Sequence, residues 1–289
     1  MLTYAGMWWA DDHRFVSWTP ESVVTIREAK RAMEFARVPL VSRYCAHVRG
    51  HGGVKRSVLF VHARMPQLPF IARFDVRSYY ETIDHGVLLA IVQDAGVPRD
   101  IAAVIQQYLT VPDVDNTGRG MVAGGSLSPL LSAIYLGPLD EAMDQLRSGG
   151  GIDYIRYADD IAILARTRHL LRKAIARMHA VLYDLRLQVH PGKRFIGRAE
   201  RGFEFLGFFI HPRRRLVPSS VSMQRLVERS RRLHEQGASQ QRLRRYVHNW
   251  YMWFTRGLGH LAGRKGGETR YWVYVIRHLN IAYPVHPPP

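Results

Sequence analysis

Short apolar stretches bounded by turn residues predict the β-strands of this chain. Residues 70–76 form one such stretch, and residues 203–210 form another. Two further stretches, residues 154–155 and 161–164, enclose the sequence Tyr-Ala-Asp-Asp at 157–160. This arrangement predicts a β-hairpin with two adjacent carboxylates at its tip.

Apolar residues spaced three and four apart predict helices between these strands. One helix is expected after Thr19, with Thr19 as its cap and Pro20 in its first turn. Residues 54–61 follow a glycine-rich loop and fit a helix and a strand equally well. The remaining predicted helices cover residues 87–96, 99–109, 127–146 and 168–185 and the arginine-rich chain from Ser222 onward.

The adjacent carboxylates Asp159 and Asp160 have two interpretations. Carboxylates that project from a rigid hairpin can share a divalent metal ion. Asp is also a common turn residue, so the pair equally fits an ordinary solvated turn. Asp75 ends a predicted strand 84 residues before Asp159 and adds a third carboxylate, although a strand-ending Asp is more often a cap or turn residue. Phosphoryl transfer by two metal ions needs such a set of oxygen ligands.

The composition indicates a folded protein with a polyanionic partner. The chain has 289 residues, of which 47% are hydrophobic, enough for a buried core in one large or two to three small units. Its formal charge of +17 favours nucleic acid over a membrane surface as the partner. An apolar run of about 18 residues and a signal peptide are both lacking, so we expect a soluble cytoplasmic protein without membrane contact.

The single cysteine, Cys45, excludes an internal disulfide and cannot build a thiolate zinc site alone. Cys45, His47 and His51 have a loosely metal-like spacing, but they lack a fourth ligand, and we expect no zinc there. Asp11 and Asp12 form a second acidic pair. Since no predicted strands flank this pair, we expect a cap or a turn.

Five segments, in order along the chain, resemble the sequence blocks of bacterial reverse transcriptases of the group II intron and retron type. Residues 74–85 are similar to the first catalytic block of these enzymes, and residues 157–160 are similar to their catalytic hairpin. The template and nucleotide block, the lysine-bearing block and the primer-grip block are matched by residues 124–131, 187–193 and 202–208. The resemblance covers residues 44–255.

The resemblance implies an α+β fold, the palm of a right-hand polymerase with an antiparallel sheet and helices. Reduced fingers and the palm would occupy residues 1–211, and a basic α-helical thumb would occupy residues 212–289. The implied activity is that of a nucleotidyltransferase, an RNA-directed DNA polymerase that extends a primer with dNTPs. Mg²⁺ is the implied cofactor, with Mn²⁺ as a substitute. The implied partners are an RNA template, a DNA primer or product, a dedicated noncoding RNA and an accessory protein.

Carried over residue by residue, the resemblance makes Asp75, Asp159 and Asp160 catalytic metal ligands. The main-chain carbonyl of Val76 is an additional ligand. Lys193 matches a position proposed as the general acid for departing pyrophosphate, and a solvated surface lysine is the alternative. The implied substrate-binding residues are Tyr80, Val76, Arg77, Gly124, Gly125, Ser128, Pro129 and Tyr157.

Tyr80 matches the aromatic position beneath the sugar of the incoming nucleotide. A ring there would clash with a 2′ hydroxyl and select deoxynucleotides, and core packing is the alternative. The chain departs from the family pattern at Ala123, where the family has a glutamine, so an amide near the nucleotide is missing. The basic block of the fingers is also not found, and its candidate replacements are Lys55, Arg56 and Arg73.

These departures leave two alternatives to the polymerase interpretation. One is a catalytically weak RNA-binding scaffold of polymerase fold. The other is an enzyme of untemplated or protein-primed DNA synthesis in an antiphage system. Because no endonuclease-like extension follows the thumb, a self-sufficient intron mobility protein is disfavoured, while retron, diversity-generating, antiphage and domesticated roles all fit.

Residues 193–245 are strongly basic. They contain fourteen Lys or Arg residues and four Glu residues, a net charge of +10. Such a segment fits a phosphate-contacting thumb, with a solvated helical face as the alternative. The aromatic residues that follow fit either stacking on bases or a helix-packing core, and they are Trp250, Tyr251, Trp253 and Phe254. The proline-rich end at 287–289 predicts a loose tail.

Overall fold

In the computed structural model, which describes residues 1–10, 13–34, 41–263 and 266–281, the chain divides into two units. The first unit consists of Met1–Ser57 and Arg64–Arg198. The second consists of Val58–Ala63 and the chain from Ala199 onward. The main part of this unit therefore begins 13 residues before residue 212, the predicted start of the thumb.

Six strands of the first unit form two antiparallel sheets. They are β1 (Tyr4–Ala10), β2 (His13–Trp18), β3 (Phe70–Phe74), β4 (Ile152–Tyr157), β5 (Asp160–Ala165) and β6 (Phe195–Arg198). One sheet has the strand order β4-β5-β3-β6, and β1 and β2 pair separately. The sequence pattern does not predict β1 and β2, because every residue of these two strands is exposed or half-buried and no strict alternation marks one face.

Among the described residues, eight helices begin within the first unit. They are α1 (Pro20–Glu34), α2 (Gly53–Arg64), α3 (Tyr79–Thr82), α4 (His85–Asp94), α5 (Arg99–Thr110), α6 (Ser128–Tyr135), α7 (Gly137–Ser148) and α8 (Arg168–Asp184). The ambiguous residues 54–61 therefore fold as a helix. Two of the helices begin at side-chain caps, since Asp84 accepts from the Val87 N–H and Thr167 accepts from the Leu170 N–H.

Strands β3 and β5 are nearly continuous apolar runs because they are the two central strands of their sheet. Ile71, Ala72 and Phe74 of β3 are buried, and all five residues from 161 to 165 in β5 are fully buried. Helix α8 covers both strands, and it buries an apolar stripe that includes Leu171 and Met178. The ends of β3 and β5 are thus fixed by a packed core.

The single helix predicted over residues 127–146 is wrong in one respect. The structure has two helices there, which meet at Leu136, whose φ of −91° and ψ of 10° end α6. Pro138 explains the break, because proline has no N–H to donate to a preceding turn and fits only the first turn of a new helix.

The single strand predicted over residues 203–210 is also wrong, since the structure has a hairpin there. Strands β7 (Phe203–Phe205) and β8 (Phe208–Ile210) pair antiparallel. The loop between them consists of Leu206 and Gly207, with φ values of 50° and 82°. Two residues with positive φ are typical of a tight hairpin turn, but leucine in this position is not a recognisable turn signal.

The rest of the second unit is mainly helical. It contains the short strand β9 (Val217–Pro218) and the helices α9 (Ser220–Glu235), α10 (Gln240–Thr255) and α11 (Gly267–His278). The three helices bury Leu226, Leu243, Val247, Trp272, Val275 and Ile276 against one another. The helical prediction from Ser222 onward is confirmed.

Two features predicted from the sequence lie outside the described residues, the acidic pair Asp11 and Asp12 and the tail at 287–289. Across the described part of the chain, none of the helices combines the length and the apolar character needed to cross a membrane.

Candidate active site

Antiparallel pairing brings the three predicted catalytic carboxylates to one end of the sheet. Phe74, the last residue of β3, pairs with Ile161 of β5. The next residue, Asp75, therefore lies opposite Asp160, the first residue of β5. Asp159 belongs to the two-residue loop between β4 and β5, because Tyr157 pairs with Asp160. The predicted hairpin and the position of Asp75 at the end of a strand are both confirmed.

The carboxylates are close enough to perturb one another. Burial, followed by the charge of Asp75 and then that of Asp160, raises the pKa of Asp159 to about 7. Burial also raises the pKa of Asp160, although Arg73 opposes this shift. The site therefore concentrates negative charge that water does not fully screen.

Two cationic side chains contact the carboxylates of Asp160 and Asp75. The Arg73 Nη2 atom donates to Asp160 Oδ1 at 2.5 Å, and the Lys193 Nζ atom is 3.1 Å from Asp75 Oδ2. The segment that carries Lys193 is tied to β3, because the His190 N–H donates to the Asp75 carbonyl at 2.7 Å. Lys193 thus lies at the site, and Arg73, a candidate for the missing basic block, pairs with Asp160, a predicted catalytic carboxylate.

The donor set fits a hard divalent cation. Three carboxylates offer the oxygen ligands that such cations prefer, and a cation would offset the repulsion that raises the pKa of Asp159. Within the described residues, however, no three acidic, histidine or cysteine side chains converge as a ready-made metal cage. Asp160 and Asp75 are instead turned toward Arg73 and Lys193.

The other predicted site residues of this region lie around the carboxylates in different environments. Tyr80 is half-buried, and burial raises its pKa, with a further contribution from the charge of Asp159. Val76 is buried, while Arg77 is exposed. The Tyr157 ring lies edge-on to the His47 ring, with 6.0 Å between the ring centres.

The sequence prediction missed a buried polar group directly beneath the hairpin. Arg156 of β4 is fully buried, and its Nε and Nη2 atoms donate to the two oxygens of Asp140 at 2.8 and 2.7 Å. Tyr154, on the same face of β4, donates to Asp140 as well at 2.9 Å. The sequence pattern of β4 could have revealed this buried arginine, because side chains alternate along a strand and Arg156 therefore lies on the same side as Tyr154.

The predicted template and nucleotide residues occupy the loop before α6 and its first turn. Gly124 and Pro129 are exposed and Gly125 is half-buried. Ser128 is buried, with its Oγ atom donating to the Val122 carbonyl at 2.6 Å and lying 2.8 Å from the Tyr108 hydroxyl. The buried Ser128 side chain therefore stabilises the loop before α6 through these two hydrogen bonds.

Gly125→Ala is expected to destabilise this loop. A Cβ atom at position 125 would lie 1.8 Å from the Tyr108 hydroxyl oxygen, so the Tyr108–Ser128 hydrogen bond would have to break. We expect a loss of about 1–3 kcal/mol in the free energy of unfolding, measured by chemical denaturation. Gly137→Ala is the matched control, because a Cβ atom there meets nothing within 4 Å. Equal stability of the two variants would contradict this account of the loop.

The departure at Ala123 coincides with a contact to the amino-terminal hairpin. The Ala123 N–H donates to the Arg14 carbonyl of β2 at 2.7 Å. The Phe15 ring lies 3.6 Å from the position of a Cβ atom on Gly124. Strand β2 therefore supports the loop at the position where the family has a glutamine.

Two further candidates for the missing basic block lie on α2. Lys55 is half-buried, and burial lowers its pKa to about 8. The Arg56 Nη1 atom donates to the His51 carbonyl at 3.1 Å. The assignment of Lys55 and Arg56 to the triphosphate stays a prediction.

The basic segment presents its charge to solvent along α9 and α10. Seven arginines of these helices are exposed, and they are Arg225, Arg229, Arg231, Arg232, Arg242, Arg244 and Arg245. The aromatic residues behind them have mixed roles. Trp250 stacks on the buried Phe254, with 5.7 Å between the ring centres, as expected for a helix-packing core. Trp253, in contrast, is 54% exposed.

Comparison with known protein families identifies the family to which the chain is similar. The family model described as reverse transcriptase (RNA-dependent DNA polymerase) matches residues 26–210, which include all three carboxylates and Lys193. Comparison with curated proteins gives no match.

Solved structures of telomerase from Candida tropicalis are similar to this chain. Apo telomerase is 12% identical with a TM-score of 0.54, over 89% of this chain and 54% of the telomerase chain. The form truncated from its C-terminal domain is 14% identical with a TM-score of 0.52, over 68% of this chain and 45% of the other. The complex with a TWJ fragment of telomeric RNA is 12% identical with a TM-score of 0.53, over 90% and 50%. At these identities the likeness shows the fold alone, and this chain spans about half the length of the telomerase chains. The predicted palm-like fold, an antiparallel sheet with helices, is confirmed.

Proposed function

Because the chain belongs to the reverse transcriptase (RNA-dependent DNA polymerase) family, we propose that it extends a DNA primer with dNTPs on an RNA template. The observation that carries this proposal is the strand register that brings Asp75, Asp159 and Asp160 to one end of the sheet. In this reaction the primer 3′ hydroxyl attacks the α-phosphate of the dNTP and pyrophosphate leaves. The protein therefore has to position the reactants and stabilise charge, and it needs no nucleophile of its own.

Asp75, Asp159 and Asp160 would hold the divalent metal ions that the family normally uses, with the Val76 carbonyl as an additional ligand. We expect Mg²⁺, with Mn²⁺ as a substitute. When bound, a pair of such ions stabilises the charge on the attacking and leaving oxygens. The carboxylates are suited to this role because β3, β4 and β5 fix their backbones, while the raised pKa values of Asp159 and Asp160 reflect repulsion and burial that a cation offsets.

Lys193 is the proposed general acid for departing pyrophosphate. Its side chain is 59% exposed and its Nζ atom is 3.1 Å from Asp75 Oδ2, so the ammonium group lies at the edge of the carboxylates with room to contact phosphate. A cation in this place offsets the charge that develops on the leaving group and can donate a proton to it.

Tyr80→Ala is expected to reduce discrimination between dNTPs and NTPs by about tenfold or more, because the ring proposed to exclude the 2′ hydroxyl is removed. Tyr80→Phe is the matched control and should retain the discrimination, since it keeps the ring. The measurement is single-nucleotide incorporation with a dNTP and with the matching NTP. Unchanged discrimination in Tyr80→Ala would assign Tyr80 to core packing alone.

The exposed arginines of α9 and α10 support a role for the second unit in holding nucleic acid. Their charge faces solvent, and few acidic residues lie between them in sequence. Contacts from such a surface go to phosphates, which position a duplex without reading its sequence, and binding weakens as salt increases. We propose that residues 212–289 act as the thumb and residues 1–211 as fingers and palm.

The order of the sequence blocks supports a narrower assignment within the family. We propose a cytoplasmic enzyme of the bacterial group II intron and retron-like type. A dedicated noncoding RNA and an accessory protein are the proposed partners beyond the template and the primer, and antiphage defence is a role consistent with this type.

Primer extension on defined RNA and DNA templates tests the proposed function, with Asp159→Ala as the inactive control. Extension on RNA that requires dNTPs and a divalent metal ion and is absent in Asp159→Ala would support it. Incorporation that needs no template would favour untemplated or protein-primed synthesis. RNA binding without incorporation under any metal condition would favour the scaffold alternative.

A further inference from the structure

The backbone of the catalytic hairpin is held by a histidine that the metal chemistry does not use. The N–H of Ala158, the residue that precedes Asp159, donates to His47 Nδ1 at 3.1 Å. On the other side of the ring, His47 Nε2 is 2.9 Å from the Pro129 carbonyl oxygen in the first turn of α6. His47 therefore joins the turn that carries the carboxylates to the start of the helix that follows the template loop.

These two contacts fix which nitrogen of the ring carries the proton. A backbone N–H can only donate, so His47 Nδ1 must be the acceptor and lacks a proton. The Pro129 carbonyl can only accept, so His47 Nε2 must carry the proton and donate it. Burial lowers the pKa of His47, which favours this neutral form of the ring.

The backbone on either side of Cys45 explains why the ring reaches the turn. The Arg156 N–H donates to the Tyr44 carbonyl at 3.0 Å, and the Ala46 N–H donates to the Arg156 carbonyl at 2.8 Å. This short pairing attaches residues 44–46 to the edge of β4, so the next residue, His47, lies beside the turn at the end of that strand.

The conformation of Ala158 explains why the turn benefits from such support. Its φ of 54° lies in the left-handed region, which is unfavourable for a residue with a side chain. Both of its backbone polar groups are held by side chains, since Arg156 Nη1 donates to the Ala158 carbonyl at 3.2 Å while His47 accepts from the N–H. These contacts stabilise the one turn geometry that places Asp159.

We propose that His47 is a positioning residue for Asp159, acting through the Ala158 backbone to fix the direction of that carboxylate. This inference rests on the proposed polymerase function. It also gives His47, one of the sequence trio Cys45, His47 and His51, a role other than zinc binding. The His47 ring nitrogens are both engaged in hydrogen bonds within the protein, and His51 Nδ1 donates to the Cys45 carbonyl at 3.0 Å.

The first variant to test is His47→Ala. We expect kcat for primer extension to fall about 10- to 100-fold, the range typical when a residue that orients a metal ligand is lost. KM for the dNTP should change by less than about twofold, because the nucleotide contacts remain. His47→Asn should recover at least about tenfold of the lost kcat, since its Oδ1 atom can accept from the Ala158 N–H at the place of Nδ1. His51→Ala is the matched control, with the same substitution in the same loop and kcat close to that of the wild-type protein.

Amide hydrogen exchange gives a readout that does not depend on activity. The Ala158 amide should exchange about tenfold faster in His47→Ala than in the wild-type protein or in His51→Ala, because it has lost its acceptor. An active wild-type enzyme whose kcat is unchanged in His47→Ala, or equally reduced in His47→Asn, would overturn the proposal. A wild-type protein without polymerase activity would overturn the proposed function, and the exchange rate of Ala158 would then decide whether His47 holds the turn.

Discussion

Asp159→Asn is expected to lower the rate of primer extension about a thousandfold and to make the folded protein more stable. The loss of rate follows from the loss of one charged ligand of the proposed metal site. A metal ion there would supply several kcal/mol of charge stabilisation, of which about 4 kcal/mol corresponds to a thousandfold change in rate. The gain in stability follows from the removal of an unfavourable charge. Burial and the charges of Asp75 and Asp160 raise the pKa of the Asp159 carboxyl to about 7, which shows that its ionised form is disfavoured in the folded protein.

The dependence of this stability gain on pH has a definite sign. An unfolded Asp has a pKa of about 3.9, so between pH 4 and 7 the folded protein binds more protons at Asp159 than the unfolded chain does. The contribution of Asp159 to the stability of the wild-type protein therefore falls as the pH rises through this range. Asparagine does not ionise, so the advantage of Asp159→Asn should grow from pH 4 to 7 and then stay constant at about 2 kcal/mol, allowing for partial solvent screening.

The rates are compared in single-nucleotide incorporation, and the stabilities in chemical denaturation with a chelator present, so that no divalent ion offsets the carboxylate charges. Asp153→Asn is the matched control on the same hairpin. The Asp153 carboxylate forms ion pairs with Arg64 and Arg147, and its substitution should leave the rate unchanged. A lower stability of Asp159→Asn at pH 8 would show that Asp159 serves the fold, and a rate like that of the wild-type protein would remove it from the chemistry.

Arg156→Met is expected to destabilise the first unit by about 3–5 kcal/mol. The substitution leaves the buried Asp140 carboxylate without its bidentate partner, and an unpaired buried charge is costly. Burial alone would lower the pKa of Arg156, but the charge of Asp140 raises it above its ordinary value, so the guanidinium stays charged at every pH at which the protein folds. The Ala133 and Ala158 carbonyls would lose their donors as well.

Arg147→Met is the control for Arg156→Met, because its ion pair with Asp153 is partly exposed, at 3.7 Å, and should contribute only about 0.2–1 kcal/mol. The double variant Arg156→Met with Asp140→Leu should recover much of the loss in chemical denaturation, since it removes both buried charges. A loss below about 1 kcal/mol in Arg156→Met would mean that water reaches Asp140 and that the pair is not the support of the hairpin.

The carboxylate site was predictable because it depends on local patterns that a sheet converts into proximity. Apolar runs on both sides of Asp159 and Asp160 predict a hairpin, and an apolar run before Asp75 predicts a neighbouring strand. Antiparallel pairing then leaves little freedom in where the three side chains meet. The helix predicted over residues 168–185 is likewise confirmed as α8, because its helical period of apolar residues is strong.

The supports of the site were not predictable because they depend on contacts between distant parts of the chain. His47 and Ala158 are 111 residues apart, and no local pattern marks His47 as the acceptor for that turn. Arg156 and Asp140 read as surface residues by type, although the alternation of β4 places Arg156 in the core. The breaks at Leu136 and Leu206 were missed because an apolar residue occupies each turn, and only the neighbouring Pro138 and Gly207 signal it.

The most direct test of the central claim is single-nucleotide incorporation by the wild-type protein on four RNA templates that differ only in the first templating base. We predict that each template directs the complementary dNTP alone, that a chelator abolishes incorporation, and that added Mg²⁺ restores it. Incorporation of the same nucleotide on all four templates, or no incorporation with any divalent ion, would contradict the assignment of this chain as an RNA-directed DNA polymerase.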